Sequence, residues 1–217
     1  MKHRSWRKKL LKIAQRKMDK FEIIHNVEHS LRVYENCKRI AKHYRQANLD
    51  VLYAASLLHD FGQTVKRLNE HGKESTDLAK KILLKIKFPE KDIPLVLEAT
   101  KEHDNFVWIK THSQKKPKSI ETKIFQDADR LETIGAIGIA RNFAWAGKND
   151  KKIWDRTKPL CPQILYGNNY SVIHTLHSEL RIYNHLNTQA AKKLARKRQI
   201  FLKQFIKQFL NEWNFKF

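Results

Sequence analysis

Residues 51–60 read VLYAASLLHD, a nearly continuous apolar run that ends in a histidine and an aspartate. Apolar side chains on every side of a short helix predict that its neighbours bury it all round. We expect Asp50 to cap the N-terminus of this helix and Gly62 to end it. His59 and Asp60 would then lie where water is scarce, and a buried carboxylate without a partner is costly. The run therefore predicts a central helix that delivers two polar side chains into the interior.

Most of the remaining sequence has the spacing of amphipathic helices, with apolar residues three and four apart. Gly135 and Gly138 share one face of the longest predicted helix, which would permit close approach to a neighbour. The least regular region is 147–169, which contains two prolines. We predict one all-α domain over residues 1–217, a helical bundle with an irregular insertion near 147–169. The expected helices cover residues 6–21, 29–44, 75–86, 92–103 and 121–146 and much of the last fifty, with a polar loop at 111–119.

The composition is strongly basic. The 217 residues carry 44 Lys and Arg against 22 Asp and Glu, a net charge of +22. Such a surface attracts phosphate groups, whether on nucleotides, nucleic acids or lipids. The 6 Gly and 5 Pro exclude collagen-like and linker-rich chains. Cys37 and Cys161 do not form a CxxC pair, so neither a disulfide framework nor a thiolate zinc site is indicated.

No segment approaches the roughly 20 apolar residues that a membrane span needs, and the basic N-terminus lacks the apolar core of a signal peptide. We therefore expect a soluble, cytoplasmic protein with no membrane partner. A membrane-surface or scaffolding role for the basic N-terminal helix is a less favoured alternative. A helix of the same domain could cover the single apolar face of that segment.

Histidines and aspartates recur at the positions where helices are predicted to begin or end. His29 begins one helix, His59 and Asp60 follow another, and the acidic pair Asp127 and Asp129 lies in the longest. Two imidazoles and two carboxylates form a mixed nitrogen and oxygen site that suits Mn, Fe, Co, Ni or Zn. The alternative is a hydrogen-bonded His–Asp pair in the core. The repetition of these residue types on separate helices favours the metal ion.

Three motifs in this order resemble the HD superfamily of metal-dependent phosphohydrolases, and in particular one bacterial subgroup. The first motif of that subgroup, HDxxHxxRV, is similar to HNVEHSLRV at 25–33. The second, AAxLHD, corresponds to AASLLHD at 54–60. The third, DADRLDxIGAIGIAR, is similar to DADRLETIGAIGIAR at 127–141 and is the most specific of the three. The resemblance covers about residues 20–213 and implies an all-α HD domain.

The sequence departs from the subgroup at three positions. Asn26 and Glu132 each stand where the subgroup usually has aspartate, and Ser178 stands at a position that is commonly lysine. Changes at Asn26 and Ser178 could weaken contacts with a substrate. None of the three is at the position of an expected metal ligand.

The resemblance implies that His29, His59, Asp60 and Asp129 ligate a divalent metal ion. Helical spacing points the other way for the last of these, because Asp127 lies on the apolar stripe of its helix and Asp129 lies nearly opposite. A helix buried on several sides would remove this conflict. We select Asp129 and keep Asp127 as an alternative or outer ligand.

The activity that the resemblance implies is hydrolysis of a phosphate ester or anhydride by a water that the metal ion activates. The expected partner is a phosphorylated small molecule, with a nucleotide favoured, and the cofactor is Mn, Mg, Co, Ni, Fe or Zn. His71 and His103 are candidates for proton transfer, phosphate binding or a second metal ion, against a solvated-loop role for His71 and a packing role for His103. Basic residues near the motifs could clamp phosphate or pair with surface carboxylates; these are Arg32, Lys66, Arg130 and Arg141.

Two other functions remain open at this point. Within the enzyme class, the alternative is cleavage of a phosphodiester bond in a signalling nucleotide. Outside it, the charge of +22 and the basic runs at 2–20 and 192–198 suit a nucleic-acid-binding protein. The second alternative is not favoured, because the basic residues are spread along the chain and no recognised nucleic-acid-binding motif is present.

Overall fold

A computed structural model describes residues 5–18, 24–62, 71–103, 117–160 and 170–215, with the backbone alone at 71–73. Within these ranges the chain forms nine α-helices, three 3-10 turns and no strand, which confirms the all-α class. None of the helices described is both long and apolar enough to cross a membrane. The 3-10 turns are Glu90–Asp92, Leu131–Thr133 and Ile182–His185. The helices are α1 (Ser5–Met18), α2 (Val27–Ala41), α3 (Leu49–Leu58), α4 (His71–Lys85), α5 (Ile93–Glu102), α6 (Ile120–Arg130), α7 (Gly135–Lys148), α8 (Val172–Glu179) and α9 (Gln189–Trp213).

Helix α3 lies at the centre of the fold, where α1, α2, α4, α5 and α6 all pack against it. Every residue from Val51 to Leu58 is buried, as the apolar run predicts. The predicted cap is wrong, because Asn48 and not Asp50 begins the helix. The side-chain oxygen of Asn48 accepts hydrogen bonds from the backbone nitrogens of Asp50, at 2.9 Å, and Val51, at 3.3 Å. Asp50 instead binds Arg7 of α1, whose Nε lies 3.0 Å away.

The predicted helix over 121–146 is wrong, because the chain turns sharply between α6 and α7. Gly135 has a φ of +76°, in the region that favours glycine. A Cβ at Gly138 would lie 2.1 Å from the carbonyl oxygen of Thr133, so only glycine lets α7 begin this close to the preceding turn. A Cβ at Gly135 would lie 3.0 Å from the Cβ of Arg198 in α9. The two glycines therefore make the turn, and only Gly135 also serves the predicted approach of a neighbouring helix.

The other predicted boundaries are closer to the structure. Helices α2 and α5 agree with their predicted ranges to within three residues at each end. Helix α4 begins at His71, four residues before the predicted start at Ser75. The hydroxyl of Ser75 instead accepts a hydrogen bond from the backbone nitrogen of Gly62 at 2.7 Å. The predicted loop at 111–119 falls largely outside the described residues.

The described part of region 147–169 is irregular once α7 ends, as predicted. It is fastened to the start of α8, because the backbone nitrogen of Val172 donates to the carbonyl of Lys152 at 3.0 Å. The ring of Trp154 stacks on that of His174, with centroids 4.6 Å apart. The rest of this region lies outside the described residues.

A buried carboxylate joins α6 to the start of α9. Asp127 Oδ2 accepts hydrogen bonds from the backbone nitrogen and the hydroxyl of Thr188, at 2.8 Å and 2.7 Å. Its Oδ1 accepts one from the backbone nitrogen of Asn187 at 2.7 Å. Helix N-termini need such acceptors for their first backbone N–H groups. Asp127 therefore sets where the last helix begins.

A second buried carboxyl group lies at the end of α8. Glu179 is 4% exposed, and Asn142 Nδ2 lies 3.3 Å from its Oε2. Burial raises the pKa of Glu179 to about 8, although Asn142, Arg141 and Lys151 act in the opposite direction. The group is therefore mostly neutral at pH 7 in the folded protein.

The tight turn before α7 can be tested by adding a methyl group. We expect Gly138→Ala to destabilise the fold by about 1–3 kcal/mol, because the methyl group would press on the backbone of Thr133. Gly147→Ala is the control, since nothing lies within 4 Å of a Cβ placed there. In α7 that change should be neutral or stabilising by up to about 1 kcal/mol. Urea denaturation measures both, and equal midpoints would contradict the proposed turn.

The buried carboxyl group should make stability depend on pH. Between pH 5 and 8 the folded protein holds the Glu179 proton that the unfolded chain has released, so the free energy of unfolding falls as pH rises. This group contributes a slope of up to about 1.4 kcal/mol per pH unit. Glu179→Gln should remove that slope, whereas Glu212→Gln at the exposed end of α9 should not. Parallel curves of unfolding free energy against pH for wild type and Glu179→Gln would contradict the role of Glu179 in this pH dependence.

Candidate metal centre

Three helices bring histidines and aspartates to one place in the interior. His29 lies in the first turn of α2, where its backbone nitrogen donates to the side-chain oxygen of Asn26 at 3.1 Å. His59 and Asp60 directly follow α3, and Asp129 lies in the last turn of α6. His29, His59 and Asp60 are each at most 3% exposed, and the side chain of Asp129 is 16% exposed. Solvent therefore reaches the group mainly beside Asp129.

Three ligand atoms of this group are close enough to share one ion. One nitrogen each of His29 and His59 and one oxygen of Asp129 lie within 4.8 Å of one another. Asp129 Oδ1 is 3.3 Å from His29 Nε2 and 4.0 Å from His59 Nε2. Asp60 Oδ2 is 3.0 Å from His59 Nε2 and 3.7 Å from His29 Nε2. The structure thus brings together the four residues that the sequence analysis selected as ligands.

Backbone carbonyls orient two of the imidazole rings. His59 Nδ1 lies 2.9 Å from the carbonyl oxygen of Ser56, and His103 Nδ1 lies 2.7 Å from that of Thr100. A carbonyl oxygen only accepts, so Nδ1 carries the hydrogen in both rings and the neutral ring has its lone pair on Nε2. Both Nε2 atoms face the carboxylate of Asp60, from which His103 Nε2 is 3.8 Å distant. This is the orientation that outer hydrogen bonds give to metal-binding histidines.

The negative charge of the carboxylates in the site needs positive charge beside it. Burial acts against a charged imidazole, but the carboxylates of Asp60 and Asp129 raise the pKa of His59 to about 9. Burial also favours the neutral form of Asp60, yet His59 and the other histidines hold its pKa well below the usual range. Two ionised carboxylates in the interior need positive charge beside them. A proton on His59 supplies it in part, and a divalent ion would supply it more fully.

Of the two further histidines that were predicted, the structure describes one side chain. The ring of His103 is buried with its centroid 5.1 Å from that of His59, so it belongs to this group. His71 is the first residue of α4, and its side chain is not among those described. Lys66 lies outside the described residues.

The two aspartates of α6 have different surroundings. Asp127 is fully buried and binds the start of α9, whereas Asp129 faces His29 and His59. The apolar stripe that suggested Asp127 is misleading because α6 is buried on several sides. Asp129 and not Asp127 thus lies with the two histidines, and the choice of Asp129 as ligand stays a prediction.

The three described arginines among the predicted phosphate contacts have protein partners. Arg130 is 1% exposed and donates to the carbonyl of His185 at 2.9 Å. Arg141 donates to the carbonyls of Glu132, at 3.2 Å, and Ile24, at 2.9 Å. These two arginines hold the backbone together, which corrects the prediction that they clamp phosphate. The side chain of Arg32 remains 36% exposed beside the site while its Nε binds Glu132 at 2.7 Å.

Two residues near the site did not enter the predicted set. Burial lowers the pKa of His25 to about 4, so its ring is neutral, and its centroid is 6.2 Å from that of His29. The spacing of four between these histidines on the first motif was an available signal. Glu132 Oε2 lies 3.7 Å from His29 Nδ1. Burial favours its neutral form, but His29 and Arg32 lower the pKa of Glu132.

Comparison with a known family and relative agrees with this architecture. The model of the HD domain family matches residues 26–134, which include His29, His59, Asp60, His103 and Asp129. Over 95 residues the chain is 42% identical to YpgQ, an uncharacterized protein of Bacillus subtilis. That alignment covers 43% of this chain and 40% of YpgQ, so it spans about two fifths of the relative's length.

Solved structures extend the likeness to nearly the whole chain. A crystal structure from Lactobacillus plantarum has the same fold, with a TM-score of 0.79 over 97% of this chain and 98% of that one at 24% identity. An HD-superfamily hydrolase from Bacillus thuringiensis is 27% identical, with a TM-score of 0.69 over 96% of each chain. YpgQ in complex with ADP is 26% identical, with a TM-score of 0.70 over 98% of this chain and 96% of that one. The motifs, the all-α architecture and the matched segment together identify the chain as a member of the HD domain family.

Proposed function

We propose that this protein is a metal-dependent phosphohydrolase and that His29, His59, Asp60 and Asp129 hold its divalent ion. The observation that carries the proposal is the close group formed by the buried imidazoles of His29 and His59 and the carboxylate of Asp129. His59 Nε2 is buried and lies 3.0 Å from Asp60 Oδ2 without the alignment of a hydrogen bond. Since its Nδ1 is oriented by Ser56, the remaining lone pair needs a proton or a metal ion.

The donor set suits the expected metals. Two imidazole nitrogens with carboxylate oxygens bind Mn, Fe, Co, Ni or Zn, and the carboxylates alone would favour Mg. When bound, a divalent ion supplies a nucleophile from water near neutral pH and neutralises charge on a phosphoryl oxygen. The protein itself orients His59 and His103 through backbone carbonyls, and it keeps the four ligating side chains largely away from solvent.

His103 is the residue best situated for a second role. Its Nε2 faces Asp60 Oδ1 at 3.8 Å, and its ring is held by Thr100. It can transfer a proton to or from a substrate, or share a second metal ion with Asp60. We propose the same roles for His71, and only its position in the sequence supports them.

A nucleotide is the proposed substrate. The net charge of +22 attracts phosphate, and Arg32 keeps part of its side chain exposed beside the metal ligands. The structure of YpgQ in complex with ADP adds support from a relative. Within the same enzyme class, the alternative substrate is the phosphodiester bond of a signalling nucleotide.

A second candidate function, binding of a nucleic acid, is favoured by α9 alone. This helix has seven Lys and Arg and a single acidic residue, Glu212. Five exposed cations follow one face over about 21 Å, and none forms an ion pair with a described carboxylate. These are Lys193, Arg196, Lys197, Lys203 and Lys207. Phosphates of a nucleic acid backbone are the complementary partner.

The proposed metal centre predicts that Asp129, and not Asp127, is needed for metal binding. Wild-type protein should bind about one or two divalent ions per chain and release phosphate or pyrophosphate from nucleotides with Mn, Mg, Co or Ni. His59→Ala and Asp129→Asn should weaken metal binding by more than the roughly 10–100-fold that loss of an outer contact costs, and hydrolysis should disappear. Asp127→Asn is the matched control, because it should lower stability at the start of α9 while retaining the metal ion.

Metal content of the purified proteins, calorimetric titration and a nucleotide panel measure these effects. Binding by Asp129→Asn equal to wild type, with loss in Asp127→Asn, would reverse the ligand choice. No metal binding by folded wild-type protein under any loading condition would refute the centre itself.

The nucleic-acid alternative predicts a steep effect of salt. Binding of a DNA duplex should weaken as salt rises, with a logarithmic slope of about −0.9 per phosphate contact. Changing Lys193, Lys203 and Lys207 to glutamine should reduce that slope by about 3. The control removes three exposed cations of α1 by Lys8→Gln, Lys9→Gln and Lys12→Gln. Equal loss in both variants would mean that overall charge, and not the face of α9, attracts the DNA.

A further inference from the structure

Glu132 is a buried carboxylate at the point where α6 ends and the chain turns towards α7. It belongs to the 3-10 turn Leu131–Thr133 and is 2% exposed. Its Oε2 lies 2.7 Å from Arg32 Nε, and its Oε1 lies 3.3 Å from Asn36 Nδ2 and 3.9 Å from Arg198 Nη1. Two helices therefore supply cations to this one group, α2 through Arg32 and α9 through Arg198.

His29 differs from the other two histidines of the centre in how its ring can be held. His59 and His103 each direct Nδ1 at the carbonyl three residues earlier. The corresponding carbonyl of Asn26 accepts a hydrogen bond from the backbone nitrogen of Ser30. His29 Nδ1 is buried and has no hydrogen-bond partner among the described residues. Glu132 Oε2 faces that nitrogen at 3.7 Å, on the side of the ring opposite the site.

We infer that Glu132 is a positioning residue for the metal ion, and that its carboxylate accepts the Nδ1 hydrogen of His29 when the ion is bound. This inference rests on the proposed metal centre. Closing the 3.7 Å gap to a hydrogen bond of about 2.8 Å needs a shift of roughly 1 Å. The contact fixes the lone pair of His29 on Nε2, which faces Asp129 and Asp60.

The two arginines keep Glu132 suited to this task. An ionised carboxylate that binds a ligating histidine makes the imidazole a stronger donor to the metal ion. Arg32 and Arg198 stabilise the ionised form in a site where water cannot, and Arg198 is itself fixed by Asn36 Oδ1 at 3.0 Å. Helix α9 thus takes part in the centre through Arg198 without contributing a ligand.

The test compares two buried glutamates that are changed in the same way. Glu132→Gln removes the charge beside His29. Glu121→Gln is the matched control, because Glu121 is a buried carboxylate near the start of α6 that accepts from the backbone nitrogen of Asn48 at 2.8 Å. Affinity for Zn²⁺ is measured on the full chain by competition with a chromophoric chelator. Glu132→Gln should bind about 10–100-fold more weakly than wild type, and Glu121→Gln should bind as wild type does.

A second measurement does not depend on how well a variant folds. In the Zn²⁺-loaded wild type, nitrogen-15 spectra of the imidazoles should show that His29 carries its hydrogen on Nδ1 and is bound through Nε2.

Glu132→Asp keeps the charge with a shorter side chain, and it should recover part of the affinity lost in Glu132→Gln.

The outcomes separate this inference from the proposed function. If wild type binds no metal ion, the metal centre is wrong and the inference falls with it. If wild type binds Zn²⁺ and Glu132→Gln binds it equally well, the metal centre stands and the role of Glu132 is refuted. A hydrogen on Nε2 of His29, or equal weakening by both glutamine variants in step with lost stability, would also overturn the inference.

Discussion

The burial of Asp60 beside His59 is the constraint on which the rest of the centre depends. Water cannot stabilise either group there, so each is stabilised by the other and by whatever cation shares the site. The pair follows directly from α3, which five surrounding helices bury from Val51 to Leu58. Packing that makes α3 the centre of the core therefore also delivers two candidate ligands to a place with little solvent.

The histidines are held by parts of the fold that lie outside the centre. His59 and His103 take their orientation from the last turns of their own helices, so those rings are fixed as soon as α3 and α5 form. His29 begins a helix, and the carbonyl three residues before it, that of Asn26, accepts a hydrogen bond from the backbone nitrogen of Ser30. The last carbonyls of a helix lack such intrahelical partners. The orientation of His29 has to come from elsewhere in the chain, and Glu132 lies on the correct side of the ring. Helix starts and helix ends thus hold their histidines by different means.

The sequence predicts this fold well where burial alone decides the outcome, and it predicts which helix ends lie together. The apolar run before His59 indicates a buried central helix, and the spacing of His and Asp indicates where the helix ends converge. Periodicity does not reveal the break between α6 and α7, because apolar residues continue in register through Leu131 and Ile134. It also misjudges Asp127, whose four hydrogen bonds are made to residues about sixty positions later. Such contacts between distant segments leave no local pattern.

The distribution of positive charge bears on how a phosphate would be recognised. Arg130 and Arg141 are part of the third motif, yet their guanidinium groups donate to backbone carbonyls. Arg130 binds the 3-10 turn Ile182–His185, and Arg141 binds the turn before α7. Part of the remaining charge lies on exposed faces of α1 and α9. That charge raises the concentration of anions near the protein without choosing among them. Under the proposed function, selection among phosphates would therefore come from the ion and Arg32, and not from the surface lysines.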